Sequence, residues 1–361
     1  MLISGKQYRS IWIDEKSKKV KIIDQRRLPH SIEIITLNDL HQTVKAISEM
    51  YVRGAPLIGV TAAFGFSLAM KEDCSEKSIK NAYKQLINAR PTAVNLAWAC
   101  KRVSEKLQKI PHIERKEYSL RLAQKMADED VETNYKIGQS GLALIKTLAD
   151  NKREKTPVRI LTHCNAGWLA TVDRGTATAP IYQANELGID VFVWVDETRP
   201  RNQGASLTAW ELYHNKINSK LIVDNAGGHI MQKGLVDAVI VGSDRTTFGG
   251  DVCNKIGTYL KALAAWDNNI PFYAALPTST IDFDLENGLE IPIEERGEDE
   301  VLTITGENNI GKTENIKLTI EGIKASNPAF DVTPAKYVTG LITDKGVIKP
   351  NRDSILKLKP Y

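Results

Sequence analysis

The stretch VGSDRTTFGGDVCNKIGTY, residues 241–259, ends an apolar run on a carboxylic acid, Asp244. Arginine, two glycines, a second acid and an Asn-Lys pair follow it. An acid at the end of a buried strand does little for stability, whereas an apolar crevice would raise its pKa and keep it protonated as a general acid. The glycines at 249 and 250 would let backbone approach a ligand. A second such place is THCNAG, where Cys164 closes another β-rich run and Asn165 and Gly167 form a turn whose N–H groups can point at a ligand. Asp196, Glu197 and Asp224 close further runs. In open α/β sheets ligands bind beyond the carboxyl ends of the strands, so thiol and acids at these ends mark a site. Asp196 and Asp224 could equally be helix N-caps, and a buried cysteine is often inert packing.

Anion binding is the second theme. RGAPLIGVTAAFG sets Arg53 before Gly54, Ala55 and Pro56 at the start of an apolar helix. ARPTAVNLAWA does the same with Arg90 and Pro91, and GGDVCNKIGTY leads Asn254 and Lys255 into a helix. Proline suits the first turn of a helix, and helix N-termini beside arginine bind phosphate or carboxylate. A phosphorylated small ligand is expected. No GxGxxG follows a strand and no GxxxxGK[ST] occurs, which argues against nucleotide binding. His/carboxylate spacing gives no metal motif, so neither metal nor cofactor is expected. His163 and His229 lie near strand ends, where structural or surface roles fit as well as substrate contact.

The elements that must hold these groups fall into two parts. Residues 1–150 read as a mainly helical domain with a short β-hairpin (RSIWID and KVKIIDQ). Helical spacing runs over 36–50, 78–86, 96–107 and 113–149. DNKREKTP, 150–157, reads as a linker. Residues 151–361 alternate short apolar runs (158–164, 190–197, 220–226, 237–244 and 270–277) with helix-compatible segments, the βαβ rhythm of a doubly wound parallel sheet. The polar stretch 296–328 reads as an antiparallel excursion. The fold class is α/β, a small helical N-terminal domain on a Rossmann-like C-terminal domain.

Composition narrows the function further. The 361 residues carry a formal charge of +4 with no basic block, so no nucleic-acid partner is expected. No run of ~18 apolar residues spans a membrane, and the first residues lack a signal-peptide core. Four scattered cysteines form no CxxC pair, which fits a reduced, cytoplasmic enzyme.

The motifs RGAPLIGV, RPTAVNL, THCNAGWLAT, DETRPRNQGASLTAWEL, VGSDRTTFGGDVCNKIGTY, PFYAALPTSTID, EIPIEER and NPAFDVTPA, in this order over most of the chain, resemble the methylthioribose-1-phosphate isomerases. That family includes related aldose-1-phosphate isomerases and regulatory subunits of the initiation-factor exchange complex. The resemblance implies Cys164 and Asp244 as catalytic pair. It implies Arg53, Gly54, Ala55 and Arg90 as phosphate and sugar contacts, and Gln203, Asn254 and Lys255 as further substrate contacts. It also implies a homodimer. GSDR, GGD, DNAGGH and Trp168 depart from the commonest family pattern. They spare the pair, and they point to the pocket near the sugar's 5-substituent as the part that differs.

An aldose 1-phosphate is a locked acetal. An acid must protonate the ring oxygen as its bond to C1 breaks, and hydrogen must then move from C2 to C1. Asp244 would supply the acid. Cys164 would be the base if turn N–H groups favour its thiolate, or would assist a hydride shift. The expected activity is conversion of 5-methylthioribose 1-phosphate to 5-methylthioribulose 1-phosphate, as in methionine salvage. A 5-deoxyribose 1-phosphate isomerase, a dual-substrate enzyme, a ribose 1,5-bisphosphate isomerase and a non-catalytic regulatory subunit are the alternatives. Apart from the resemblance, a cysteine hydrolase pairing Cys164 with His229 is a further one.

Overall fold

The computed structural model describes every residue except 91, 92, 153, 155, 360 and 361. Pro91, expected at a helix start, and part of the expected linker therefore lie outside the described residues.

In the N-terminal part a short antiparallel pair, Leu2–Ile3 with Lys6–Gln7, precedes strands Ile11–Ile13, Val20–Ile23 and Ile34–Leu37, which form one antiparallel sheet. The hairpin thus gains a third strand, and the helix expected over 36–50 shrinks to Leu40–Ser48. Asp39 sets the new start, since its side chain accepts from the Gln42 N–H. Helices Ala55–Glu72, Glu76–Ala89, Val94–Gln108 and Arg115–Asp150 follow. Ala55–Glu72 is the central one. It is apolar all round, and Leu57, Phe64, Phe66 and Met70 are fully buried, as a helix surrounded by others must be.

The C-terminal part is built on a seven-stranded sheet. Its six parallel strands in chain order are Val158–Thr162, Val191–Asp196, Asn218–Ile222, Ala238–Val241, Phe272–Ala275 and Gly340–Thr343. Across the sheet they lie third, second, first, fourth, fifth, sixth, the Rossmann order. Gly346–Ile348 adds an antiparallel edge. The last parallel strand and this edge were not anticipated, because the polar excursion separates them from the βαβ rhythm. In that excursion Thr303–Glu307 and Thr313–Lys317 pair as an antiparallel hairpin.

In the Rossmann order the chain reverses direction between the first and fourth strands, and a crevice opens there. Here those strands are Val158–Thr162 and Ala238–Val241, paired through Ile160–Ala238 and Leu161–Val239. Cys164 follows one and Asp244 the other. The two parts share a core as well as a crevice. Ile137 and Ile145 of the long helix Arg115–Asp150 pack with Ile160, Ile181, Val193 and Ile342.

Candidate active site

Cys164 sits just beyond its strand with φ +63 and is 7 % exposed. A positive φ is uncommon for a residue with a Cβ. It is held from both sides: the Cys164 N–H donates to Thr198 Oγ1 at 2.8 Å, and Thr208 Oγ1 donates to the Cys164 carbonyl at 2.7 Å. The turn that follows does not offer its N–H groups to the crevice as expected. Trp168 and Leu169 donate theirs to the buried Glu211 carboxylate, at 3.1 and 2.8 Å. Only the Asn165 N–H favours the thiolate, together with the charges of Arg53 and Lys255; burial and the Asp244 charge outweigh them and push the thiol up. Cys164 is a thiol in this site rather than a ready thiolate.

Asp244 stands across the crevice, its N–H donating to the Cys253 carbonyl at 2.9 Å. Desolvation raises its carboxyl, against the opposing pull of Lys255, Arg90 and Arg53. A small cavity of about 30 Å³ lies against it, walled by Ala55, Ile58, Arg90, Ile291, Pro292 and Phe330 among others. Ala55 brings the start of a helix there. Gly54 makes that possible: its φ is +98, and a Cβ on it would lie 2.4 Å from the Ala170 carbonyl oxygen.

The basic groups converge on the same place. Arg53 grips Asn165 twice, donating Nη1 to Oδ1 and Nη2 to the main-chain carbonyl, the latter at 2.9 Å. Arg90 Nη2 is 3.6 Å from Glu294 Oε2. Arg296 in turn meets Glu294 at 3.1 Å and Glu300 at 2.5 Å. Lys255 Nζ lies 5.0 Å from the Phe330 ring centre, and burial lowers its pKa while Cys164 and Asp244 raise it. Asn254 and Lys255 are not at a helix start, as the sequence suggested. They end the strand Val252–Lys255, and the helix opens at Thr258 after Gly257 at φ +99. The side chain of Asn254 donates to Thr258 Oγ1 at 3.1 Å.

Among the described residues, Arg90 Nε, Glu294 Oε2 and Gln203 Oε1 are buried here without a hydrogen-bond partner. Such atoms are costly inside a protein unless a ligand meets them. Gln203 and Arg53 also line a cleft of about 490 Å³ between the two parts of the chain, with Met50, Leu207 and residues of the hairpin 303–317. Arg53 and Gln203 thus line the larger cleft, Ala55, Arg90 and Asp244 the small cavity, and the charges of Arg53 and Lys255 act on both Cys164 and Asp244.

Other strand-end groups have different work. Asp196 caps no helix. Its Oδ2 lies 3.1 Å from His163 Nδ1 and 2.9 Å from Lys261 Nζ. Asp224 caps none either, accepting the N–H groups of Thr198 and Arg199 at 2.8 and 2.7 Å. His163, Asp196 and Asp224 are close enough to ligate a cation, but the Lys261 ammonium already supplies the positive charge, and a metal would be repelled there. His163 Nε2 faces the Ile256 carbonyl at 2.8 Å, so this imidazole binds structure, and His229 is exposed. The pairing that a cysteine hydrolase needs is therefore not made. Trp168 does not reach the pocket: it is fully buried, 6.2 Å from Trp210 between ring centres. Glu211, Glu294 and Arg296 were missed from sequence. EIPIEER gave the only signal for the last two.

The family model of the initiation factor 2 subunit family matches residues 51–350. A Brucella anthropi protein described as methylthioribose-1-phosphate isomerase is 54% identical over 361 residues, 100% of this chain and 99% of its own. One from Methylocella silvestris with the same description is 55% identical over 356 residues, 98% of this chain and 97% of its own. The crystal structure of 5-methylthioribose 1-phosphate isomerase from Pyrococcus horikoshii OT3 superposes with a TM-score of 0.84 at 41% identity, covering 98% of this chain and 96% of that one. A structure from A. fulgidus described as translation initiation factor eIF-2B, subunit delta, gives 0.81 at 39% identity, covering 98% and 99%. The chain belongs to the initiation factor 2 subunit family and, within it, to the methylthioribose-1-phosphate isomerases.

Proposed function

We propose that this chain isomerises 5-methylthioribose 1-phosphate to 5-methylthioribulose 1-phosphate. The carrying observation is the pairing of Cys164 and Asp244 across the switch-point crevice, with Arg53, Arg90 and Lys255 around it. Asp244 is the acid: its proton goes to the ring oxygen as the C1–O bond breaks, leaving an oxocarbenium ion at C1. The raised thiol of Cys164 makes it a poor base and favours transfer of the C2 hydrogen to C1 as a hydride. The electron pair of the O2–H bond then becomes the C2 carbonyl. The O2 proton goes to the carboxylate Asp244 has become, which restores the acid. Arg53, Arg90 and Lys255 bind the phosphate, with Gly54, Ala55, Gln203 and Asn254 as further contacts. Retention of both Cys164 and Asp244 favours this reading over a regulatory subunit.

We place the boundary between a helical domain and a catalytic domain at residue 150, where the long helix ends. A homodimer acting in the cytoplasm completes the proposal; no described helix is long and apolar enough to cross a membrane.

Purified protein is incubated with methylthioribose 1-phosphate and, separately, with 5-deoxyribose 1-phosphate, and ketose formation is followed by NMR. Turnover of the first is the expected result. Turnover of the second at a comparable rate would make the enzyme a broader one, and turnover of neither would overturn the proposal. Run in D2O, the hydride route leaves C1 of the product free of solvent deuterium, whereas one deuterium per turnover at C1 would show that a base takes the C2 hydrogen as a proton.

Arg53→Ala tests the phosphate contact. A charged hydrogen bond contributes about 1.5–3 kcal/mol, so KM is expected to rise about 10- to 100-fold with a smaller change in kcat. Steady-state kinetics reading an unchanged KM would remove Arg53 from the binding set.

A further inference from the structure

Glu211 lies in the helix Ala209–His214, with no solvent exposure. Four donors converge on it. Oε1 accepts from Leu169 N–H at 2.8 Å and from Asn165 Nδ2 at 3.0 Å. Oε2 accepts from Trp168 N–H and from the Tyr182 hydroxyl, both at 3.1 Å. Three of the four come from the turn that carries Cys164. Gly167 lets the carboxylate in, since a Cβ there would lie 1.6 Å from Glu211 Oε2.

Asn165 links this carboxylate to the crevice. Its Nδ2 has two hydrogens, one directed to Glu211 and the other to Thr208 Oγ1 at 3.2 Å. The Thr208 hydroxyl hydrogen already goes to the Cys164 carbonyl, so Thr208 can only accept from Asn165. The amide is thereby fixed in one orientation, and Oδ1 must face away from Glu211. Arg53 donates to that Oδ1 and to the carbonyl of the same residue. A planar guanidinium held at two points keeps its remaining N–H groups in a fixed direction.

We propose that Glu211 is a positioning residue for the isomerase reaction: anchored by the Trp168 and Leu169 N–H groups, it aims the Arg53 guanidinium at the substrate phosphate through Asn165. This rests on the sugar-phosphate isomerase reading for the identity of the substrate. A carboxylate accepts at every lone pair, so it cannot be satisfied by a flipped Asn165. A glutamine in its place would bring an NH2 group against donors and release the amide to turn.

The test is a double-mutant cycle with Glu211→Gln and Arg53→Ala, read as kcat/KM on methylthioribose 1-phosphate. In the otherwise wild-type protein Glu211→Gln is expected to lower kcat/KM by about 10- to 100-fold, the range that misplaced contacts produce. In the Arg53→Ala background the same change is expected to cost only about threefold, because the group it aims is gone. The same fold loss in both backgrounds would overturn the proposal, since a merely structural role does not depend on Arg53. If Glu211→Gln does not fold, Glu211→Asp keeps the charge, shortens the reach to Asn165 and enters the same cycle. If the wild-type protein turns over no sugar phosphate, the activity reading fails by itself. The positioning is then read from the Arg53 side-chain Nε–H NMR signal, identified by its loss in Arg53→Ala. A signal that shifts or broadens in the Glu211 variant supports the relay, and an unchanged one overturns it.

Discussion

Asp244→Asn is expected to lower kcat by about 10³- to 10⁴-fold with KM little changed, the upper range for loss of a general acid. The amide keeps the shape of the carboxyl and cannot give up a proton to the ring oxygen. Burial raises the acid, while Lys255, Arg90 and Arg53 hold it down. The wild-type rate should therefore be high while Asp244 is protonated and fall as pH rises through its elevated pKa, and the residual activity of the variant should lack that alkaline limb. Stability should move the same way with pH. A carboxyl raised in the folded state stabilises the fold fully below its unfolded pKa, and that contribution is lost as pH rises through the folded value. The asparagine variant has no such loss, so above neutral pH it should resist urea at least as well as the wild type. Rate profiles and urea titrations at several pH values check both. Unimpaired kcat in a folded variant would take Asp244 out of the mechanism.

Cys164→Ser is expected to lower kcat by about 100-fold or more. The thiol is nearly buried and its pKa is raised, so it presents a weakly polar surface to the reacting carbons. A hydroxyl at the same place is smaller and hydrogen-bonds water far better. Water beside C1 can attack the oxocarbenium ion, giving a hemiacetal phosphate that breaks down to the free aldehyde and inorganic phosphate. The serine variant should therefore release phosphate in proportion to the ketose it no longer makes, as water exclusion by the wild-type site predicts. Phosphate release and ketose formation can be followed in one NMR sample. A serine variant with full activity and no phosphate release would show that the thiol has no part in the reaction.

Local pattern was enough for much of this molecule. Helical spacing over 78–86 and 96–107 falls inside observed helices, and that over 113–149 runs two residues ahead of Arg115–Asp150; four of the five apolar runs after residue 157 contain a parallel strand, and 220–226 overlaps the end of the fifth, Asn218–Ile222. Cys164 and Asp244 stood out because each closes such a run, and side chains just past the strands of a parallel sheet face its ligand-binding edge. Arg53-Gly54 stood out because an arginine before a glycine and a proline at the start of a helix suits an anion. These signals lie within a few residues of each other, so sequence alone determined them. Tertiary structure decided what depends on contacts between distant segments. Asn254 and Lys255 read as a helix start, yet pairing with Phe330 and Asp331 draws them into a strand, since ladder hydrogen bonds outweigh local preference. Trp168 read as a pocket residue, yet its ring fills the core beside Trp210. Asp196 and Asp224 read as caps or site acids, yet His163, Lys261 and the Thr198 turn take them up. Glu211 lies 46 residues from Asn165, and no local pattern marks a carboxylate whose donors come from another strand's turn. Its part emerges only when the fold closes, because a buried charge must find partners wherever packing brings them.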